Sequence, residues 1–459
     1  MSLQPTAGEN REGFVGWGRR QRYGDERKVS ALKVLPVRSS ARVLAVMSAA
    51  AVLLGLAAAP GHAVGEVPHD YALTPTVDSH FYTLNETRMT TDVGAPYVTV
   101  LGTHTVLSMD WDGELASTDT NTSAVQHLGT LALPARSRLL DFQYYSEWPA
   151  TSARIPVMVS YAFLNEGSQC RYLVLRQASI DATGGGANTW GRVWFTSPCY
   201  PMVADEEGAF FLNQSGGRMA LVPKGERAHP KQAEFMLGIG DFKSIVTPPA
   251  GIKPQALRTL GSIVRVSKPG RYEVVARGLR NTQGLVYGTM DGRPAVLATS
   301  QGPRGGDELV HVTQGADFGW PARNYGTAYR PADSASRPQH EGAGGSPDLP
   351  LFAWLPSVGL SAAMQVKGPA FAQWWNPTTK GSTPDLILAG MGARWLYRVR
   401  IERGAVRYFE GLLLGARARS LAQLPDGRIV VGLDAGTEFL ILSPGAAWNS
   451  AAGTKVAVS

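Results

Sequence analysis

The chain has very little cysteine: of its 459 residues only Cys170 and Cys199 carry a thiol. Two cysteines at that spacing exclude a thioredoxin-type redox motif and a four-cysteine zinc site, leaving a single disulfide or two unpaired buried thiols. Long apolar runs are also scarce. The one present, "VLAVMSAAAVLLGLAAAP", is broken by small residues and closed by Pro60, and no second apolar span follows. Arg38 and Arg42 flank it and "GHA" ends it, so residues 1–63 read as a polar extension plus a cleaved secretory signal, with no stable membrane span afterwards. Arg19-Arg20 lies too far from the apolar run to make a twin-arginine signal.

Excess charge of one sign is missing as well. The chain carries a net +7, but residues 1–63 hold nine Lys/Arg against four Asp/Glu, so the remainder keeps only +2. A nearly neutral exported chain offers no basic stripe for nucleic acid.

Helical periodicity is the last absence. Beyond residue 64 the chain is built of short β-type runs between turn signals, among them "IPVMVSYAFL", "RYLVLRQ", "GSIVRVS", "PAVLATS", "DLILAG", "WLYRVRIE" and "RIVVGLD". Strands at this spacing predict an all-β sandwich, barrel or propeller. Asp112-Gly113, Asp291-Gly292 and Asp426-Gly427 each sit in a turn. Recurrence of one hairpin device across so much chain favours a repeated sheet, hence a propeller occupying 64–459 as a single domain. Residues 181–189 and 330–350 read as loops, and "GAAWNSAAGTKVAVS" as a frayed tail or a closing strand.

The stretch "SQGPRGGDE", residues 300–308, has more glycine than a simple turn requires. Gly-Pro followed by Gly-Gly lets main-chain carbonyls come close to a ligand, and Asp307 and Glu308 supply hard oxygen donors. A surface turn closed by acids is the plainer alternative. Around it lie "GLRNTQGLVYG", 278–288, and "QGPRGGDELVHVTQGADFGWP", 301–321. In this order and spacing the elements resemble the soluble pyrroloquinoline quinone (PQQ) dependent glucose/sorbosone and aldose sugar dehydrogenases.

The resemblance implies a six-bladed β-propeller, about 66 residues per blade against the more usual forty-odd, with PQQ and calcium at the mouth of the central channel. Arg280 and Asn281 match the family's Arg-Asn, the arginine lying near the quinone oxygen that gains charge. Gln301 and Asp307 match cofactor-site positions, the Gly302 and Pro303 carbonyls match calcium ligands, and Glu308 matches a structural-calcium carboxylate. Ser357 in "WLPSVG" matches a hydroxyl that reaches the cofactor. Arg417 and Arg419 in "GARARS" match a paired-arginine element, and two guanidinium forks two residues apart suit the carboxylates of PQQ.

Several positions depart from the pattern. In "RLLDFQYYSEW" Tyr145 falls where the family is expected to place its histidine base, and an unperturbed tyrosine, with a pKa of about 10, is a poor proton acceptor at neutral pH. In "AGMGARWLYRV" the cofactor's lysine is replaced, with Gly392 near its position and Arg394 close by, and Ser420 stands where an aspartate follows the paired arginines. His104 and His127 are the candidate substitutes for the base, with His311 and His340 less well placed.

Two functions compete. One is an exported PQQ- and calcium-dependent dehydrogenase moving hydride from an aldose or related alcohol to the quinone, its electron acceptor unknown. The other is a catalytically impaired propeller that binds a carbohydrate or a partner. A lactone-hydrolysing calcium propeller fits less well, because paired arginines suit a polyanion better than a neutral lactone.

Overall fold

The computed structural model describes residues 84–445 apart from 146, 149–152, 203–211, 230, 246–247, 328–347, 373 and 375–382. These residues all belong to the compact unit Ser79–Ser459. The expected signal segment, His340 and the tail beyond 445 lie outside the described residues. Among the described residues, twenty-six strands, one 3-10 turn and one short helix, Pro254–Thr259, make up the regular structure.

The strands form six sheets, one per blade of a six-bladed β-propeller, antiparallel throughout except where Ala316–Asp317 pairs parallel to Arg271–Arg277 at the edge of one sheet. The innermost strands, in chain order and defining blades one to six, are Tyr97–Leu101, Ser137–Tyr144, Gly216–Leu221, Thr282–Met290, Leu360–Gln365 and Ala418–Gln423. Each packs against the next around the channel. The last blade is completed from the N-terminal side: Leu84–Thr90 pairs with Glu438–Pro444, Thr87 lying opposite Ile441.

Blade faces are covered on both sides by neighbouring blades, so middle strands such as "LILAG" and "IVVGL" are buried throughout instead of alternating. Six apolar clusters fill the six seams between adjacent blades. Leu140, Met158 and Leu175 meet Met219, Phe235 and Val264 between blades two and three, for example, and Val98 and Val106 meet Phe439 and Ile441 where the ring closes. The expected hairpin device is present at two equivalent places: Asp291-Gly292 and Asp426-Gly427 join the first two strands of blades four and six. Asp112-Gly113 instead joins the second and third strands of blade one, at the opposite end of the ring.

Cys170 and Cys199 form a disulfide. It ties the chain just ahead of the edge strand Tyr200–Pro201 to Cys170–Asp181, the strand with which that edge strand pairs.

Candidate functional site

All six innermost strands start at the same end of the channel, and a cavity of about 390 Å³ opens there. Its floor and walls come from the residues that begin or lead into those strands and from the turns joining the second and third strands of blades three, four and five. Arg280, Asn281, Gln301 and Arg419, four of the residues singled out in the sequence, line it together. Arg138, Gln214, Lys243 and Gln283 line it too, and the sequence patterns did not single them out as site residues.

The glycines of 300–308 have a geometric cause. Gly305 and Gly306 hold φ of 91° and 74°, and a Cβ on Gly302 would lie 2.1 Å from the Gly306 carbonyl oxygen. Only glycine permits so tight a fold. It aims the Gln301 and Gly302 carbonyls at Arg280, whose Nη1 donates to them at 3.3 and 2.8 Å. The same guanidinium lies 5.6 Å over Trp320, and its Nη2 donates to the Gln214 amide oxygen at 2.6 Å. Arg280 is therefore fixed on three sides. Asn281 donates to Gln301 Oε1 at 3.0 Å and accepts from Gln283 Nε2 at 3.1 Å, and Gln301 donates to the Leu360 carbonyl at 2.7 Å.

Across the cavity, Trp111 gathers two further guanidinium groups. Arg138 lies 5.0 Å and Arg419 5.1 Å from its ring centroid. Burial pulls the Arg138 guanidinium below its ordinary value, and the like charge of Arg419 acts in the same direction. An anion placed between them relieves both. Arg417 and Arg419 both bind Asp434, through Nε at 3.0 and 2.8 Å. Burial acts to raise Asp434, but these two guanidinium groups outweigh it and hold the carboxyl below its usual range. Asp434 thus supplies one carboxylate to both arginines, while Ser420 turns away to the Val98 amide and the Pro96 carbonyl.

Four of the expected catalytic and cofactor-binding residues are not brought to the cavity lining, and the expected calcium-site residues Gly302, Pro303 and Glu308 line a separate pocket behind the rim. Arg417 precedes the strand that starts at Ala418, so the two-residue period does not carry it inward, and its side chain is 44% exposed. The Asp307 carboxylate is fully engaged, Oδ1 by the amide of Gly302 and Oδ2 by those of Val358, Gly359 and Leu360. It anchors the rim; it does not contact the cavity. Ser357 also serves the rim, donating to the Pro303 carbonyl at 3.3 Å.

Tyr145 is the largest displacement. Its strand begins at the cavity with Arg138 and runs away from it, so seven extended residues place Tyr145 roughly 20 Å down the ring. There it packs in the seam between blades two and three and donates to Glu147 Oε2 at 3.2 Å, with burial pushing its phenol up to about 12. It is therefore a protonated donor at neutral pH, remote from the cavity. None of the described histidines lines the cavity either. His127 stands on the outermost strand of blade one, His104 in an exposed turn and His311 on the third strand of blade four.

The polar group nearest Arg280 inside the cavity is Gln214. Its amide nitrogen donates to Asp241 Oδ1 at 2.7 Å, and Asp241 also accepts from Trp320 Nε1 and from the Lys243 amide, each at 2.9 Å. Lys243 and its neighbour Phe242 hold φ of 55° and 49°, a conformation non-glycine residues rarely adopt. That turn brings a lysine to the cavity from blade three, where the sequence pattern placed its loss in blade five.

A second, much smaller pocket lies behind the rim, lined by Gly302, Pro303, Gly306, Glu308, Trp320 and Asn324 among others. Glu308 is buried in it, and burial, with the nearby Asp307, raises its carboxyl to about 8. Asn324 Nδ2 has no partner there. Among the described residues no group of three or more His, Cys, Asp or Glu could hold a metal, and no helix is long and apolar enough to cross a membrane.

Comparison with known proteins places this geometry in context. The family profile described as Glucose / Sorbosone dehydrogenase matches residues 211–441. Aldose sugar dehydrogenase YliI of Escherichia coli is 28% identical over 180 residues, which cover 38% of this chain and 44% of that protein. An uncharacterized protein of Synechocystis is also 28% identical, over 194 residues, 38% of this chain and 43% of its own. The matches thus span less than half the length of these curated relatives. The apo soluble aldose sugar dehydrogenase of Escherichia coli superposes with a TM-score of 0.61 at 21% identity, covering 79% of this chain and 100% of its own. A PQQ-bound aldose sugar dehydrogenase of Streptomyces coelicolor gives 0.51 at 17%, covering 79% and 99%. At these identities the two structures establish the fold.

Proposed function

The chain belongs to the Glucose / Sorbosone dehydrogenase family, and from that premise we propose that it is an exported quinoprotein-type propeller that seats PQQ over the channel mouth and oxidises an aldose or related alcohol. One observation carries this reading: Arg138, Lys243, Arg280 and Arg419 surround the cavity and, among the described residues, no carboxylate lines it. Such a wall suits a planar cofactor with three carboxylates. When bound, PQQ supplies the ortho-quinone that accepts hydride from the sugar carbon.

The chain's own part is placement and charge. Arg138 and Arg419, flanking Trp111, offer two forks to carboxylates, with Lys243 as a third cation. Arg280, already fixed by two carbonyls and Gln214, stands ready for charge that develops during reaction without having to reorganise. The Gly302 and Pro303 carbonyls each accept one hydrogen bond and keep a second lone pair. A calcium ion on that rim would draw its remaining oxygens from the cofactor and water, since calcium takes about six to eight. Glu308 would serve a second, structural calcium, giving up as the ion binds the proton that burial favours.

A second reading rests on Gln214. Among the described residues the cavity lining holds no histidine, aspartate or glutamate, and an amide cannot take the proton that a sugar hydroxyl must lose. This favours a propeller that keeps the cofactor pocket but turns over poorly, acting as a cofactor- or carbohydrate-binding module. Purified protein mixed with calcium and PQQ, followed by quinone absorbance and dye reduction over a panel of aldoses, separates the two. Binding with turnover supports the dehydrogenase, binding without turnover supports the module, and absence of binding removes the quinoprotein assignment.

A further inference from the structure

Beneath the cofactor cavity lies a lower chamber of about 250 Å³, and Arg218 lines it with its guanidinium almost wholly buried. The cause is a feature repeated around the ring. Five of the six innermost strands carry a bulge near their start, with register slips between Leu139 and Asp141, Gly216 and Met219, Thr282 and Gly284, Leu360 and Ala362, and Ala418 and Ser420. A bulge leaves its extra residue outside the ladder, so its carbonyl needs another donor.

Arg218 answers three of them. Its Nε donates to the Gln283 carbonyl at 3.0 Å, and its Nη2 to the carbonyls of Ser361 at 2.9 Å and Arg419 at 2.6 Å. Nη1 donates to Asp141 Oδ1 at 3.3 Å, and the guanidinium lies 5.1 Å from the Tyr97 ring centroid. One side chain from blade three therefore touches the innermost strands of the other five blades. The local backbone is shaped for it: Gly217 holds φ of 93°, and a Cβ there would lie 2.3 Å from Leu140 Cβ. Of the residues Arg218 holds, Tyr97, Gln283 and Arg419 present their side chains to the cavity above.

We propose that Arg218 is the positioning residue of the site: by tying the bulge carbonyls of blades four, five and six together it fixes where Gln283 and Arg419 meet a bound polyanion. The proposal rests on the reading that PQQ occupies the upper cavity. It assigns no contact with the cofactor to Arg218 itself.

The decisive variants are R218M/D141L, which replaces the buried pair by apolar side chains and leaves no lone charge, and R218K, which keeps the charge but not the planar fork. A third, R398M/D385L, removes a comparable buried pair, bonded at 2.7 Å within blade five and its bottom-side linkers, and controls for general destabilisation. Two measurements are made on the full chain: PQQ affinity by fluorescence titration well below the melting temperature, and amide hydrogen exchange of the apo protein around 282–285, 360–363 and 418–421. R218M/D141L and R218K are expected to bind PQQ at least about tenfold more weakly and to exchange faster in those three segments, while R398M/D385L does neither. Unchanged exchange in a folded Arg218 variant overturns the proposal whether or not PQQ binds. Equal PQQ affinity for the wild type and both Arg218 variants overturns it as well. If the wild type fails to bind PQQ, the functional reading falls, and exchange alone decides the role of Arg218; if R218M/D141L does not fold, R218K is read by the same criteria.

Discussion

Gln214 and Arg280 meet across the cavity, the amide oxygen of one 2.6 Å from Nη2 of the other, while the amide nitrogen is held 2.7 Å from Asp241. A neutral side chain thus fills the place between a buried carboxylate and the cationic wall where a proton acceptor would be oriented. Replacing it with histidine is expected to create an Asp241-oriented imidazole, with dye-linked aldose oxidation rising above wild type as pH passes through about 6 to 7. Turnover in Q214H no greater than wild type at every pH would show that the missing base is not what limits the protein.

The two arginines of "GARARS" are expected to behave differently. Arg419 lines the cavity and is buried, whereas Arg417 is largely solvated. R419A is expected to weaken PQQ binding about tenfold to a hundredfold, and R417A by less than about threefold, as for a solvated ion pair. Titration of both variants with PQQ checks this, and equal losses would return Arg417 to the cofactor site.

Asp307 accepts four backbone N–H groups and joins the rim to the segment entering blade five. In D307N the amide nitrogen must face some of those donors, so a loss of about 2–4 kcal/mol in stability is expected. Chemical denaturation measures it. A variant as stable as wild type would show that the carboxylate is not the anchor described.

Part of the acid sensitivity should trace to Glu147. Arg227 donates to both its oxygens, at 2.7 and 2.9 Å, and holds its carboxyl down to about 2 from an ordinary 4.5. A depressed acid stabilises the folded state fully above its unfolded value and loses that contribution as pH falls through the folded one. Melting temperature is therefore expected to decline from about pH 4.5 toward 2, and E147Q should flatten that decline. An identical acid profile for E147Q would assign the sensitivity elsewhere.

Much of this was legible in the sequence, for definite physical reasons. The middle strands read correctly because residues buried on both faces must be apolar, and the 300–308 turn because its positive φ values require glycine. Tyr145 was misplaced because matching residue types along a strand does not reveal which end of the strand meets the ligand. Arg417 was misplaced because the two-residue period applies only inside the ladder, which starts one residue later. The role of Arg218 depends on which carbonyls of blades four, five and six the closed ring brings to it, residues far away in the chain that no local pattern encodes. Lys243 reaches the cavity through two successive positive-φ residues of ordinary type, Phe242 and Lys243, which give no local cue.

The way the ring closes has a consequence for how the molecule is made. Arg88 on the first described strand bonds Glu438, 350 residues further on, so the sixth sheet has no outer strand until both ends of the chain are available. Contacts between such distant residues form late and slowly, because a long loop must close before they can contribute. The blades can assemble side by side, each seam burying its own apolar cluster, but the channel mouth has fixed dimensions only once the circle is shut. Losing the strand Leu84–Thr90 would leave blade five covered but open the seam between blades six and one, and Arg419, on blade six, would lose its fixed distance to Arg138 on blade two.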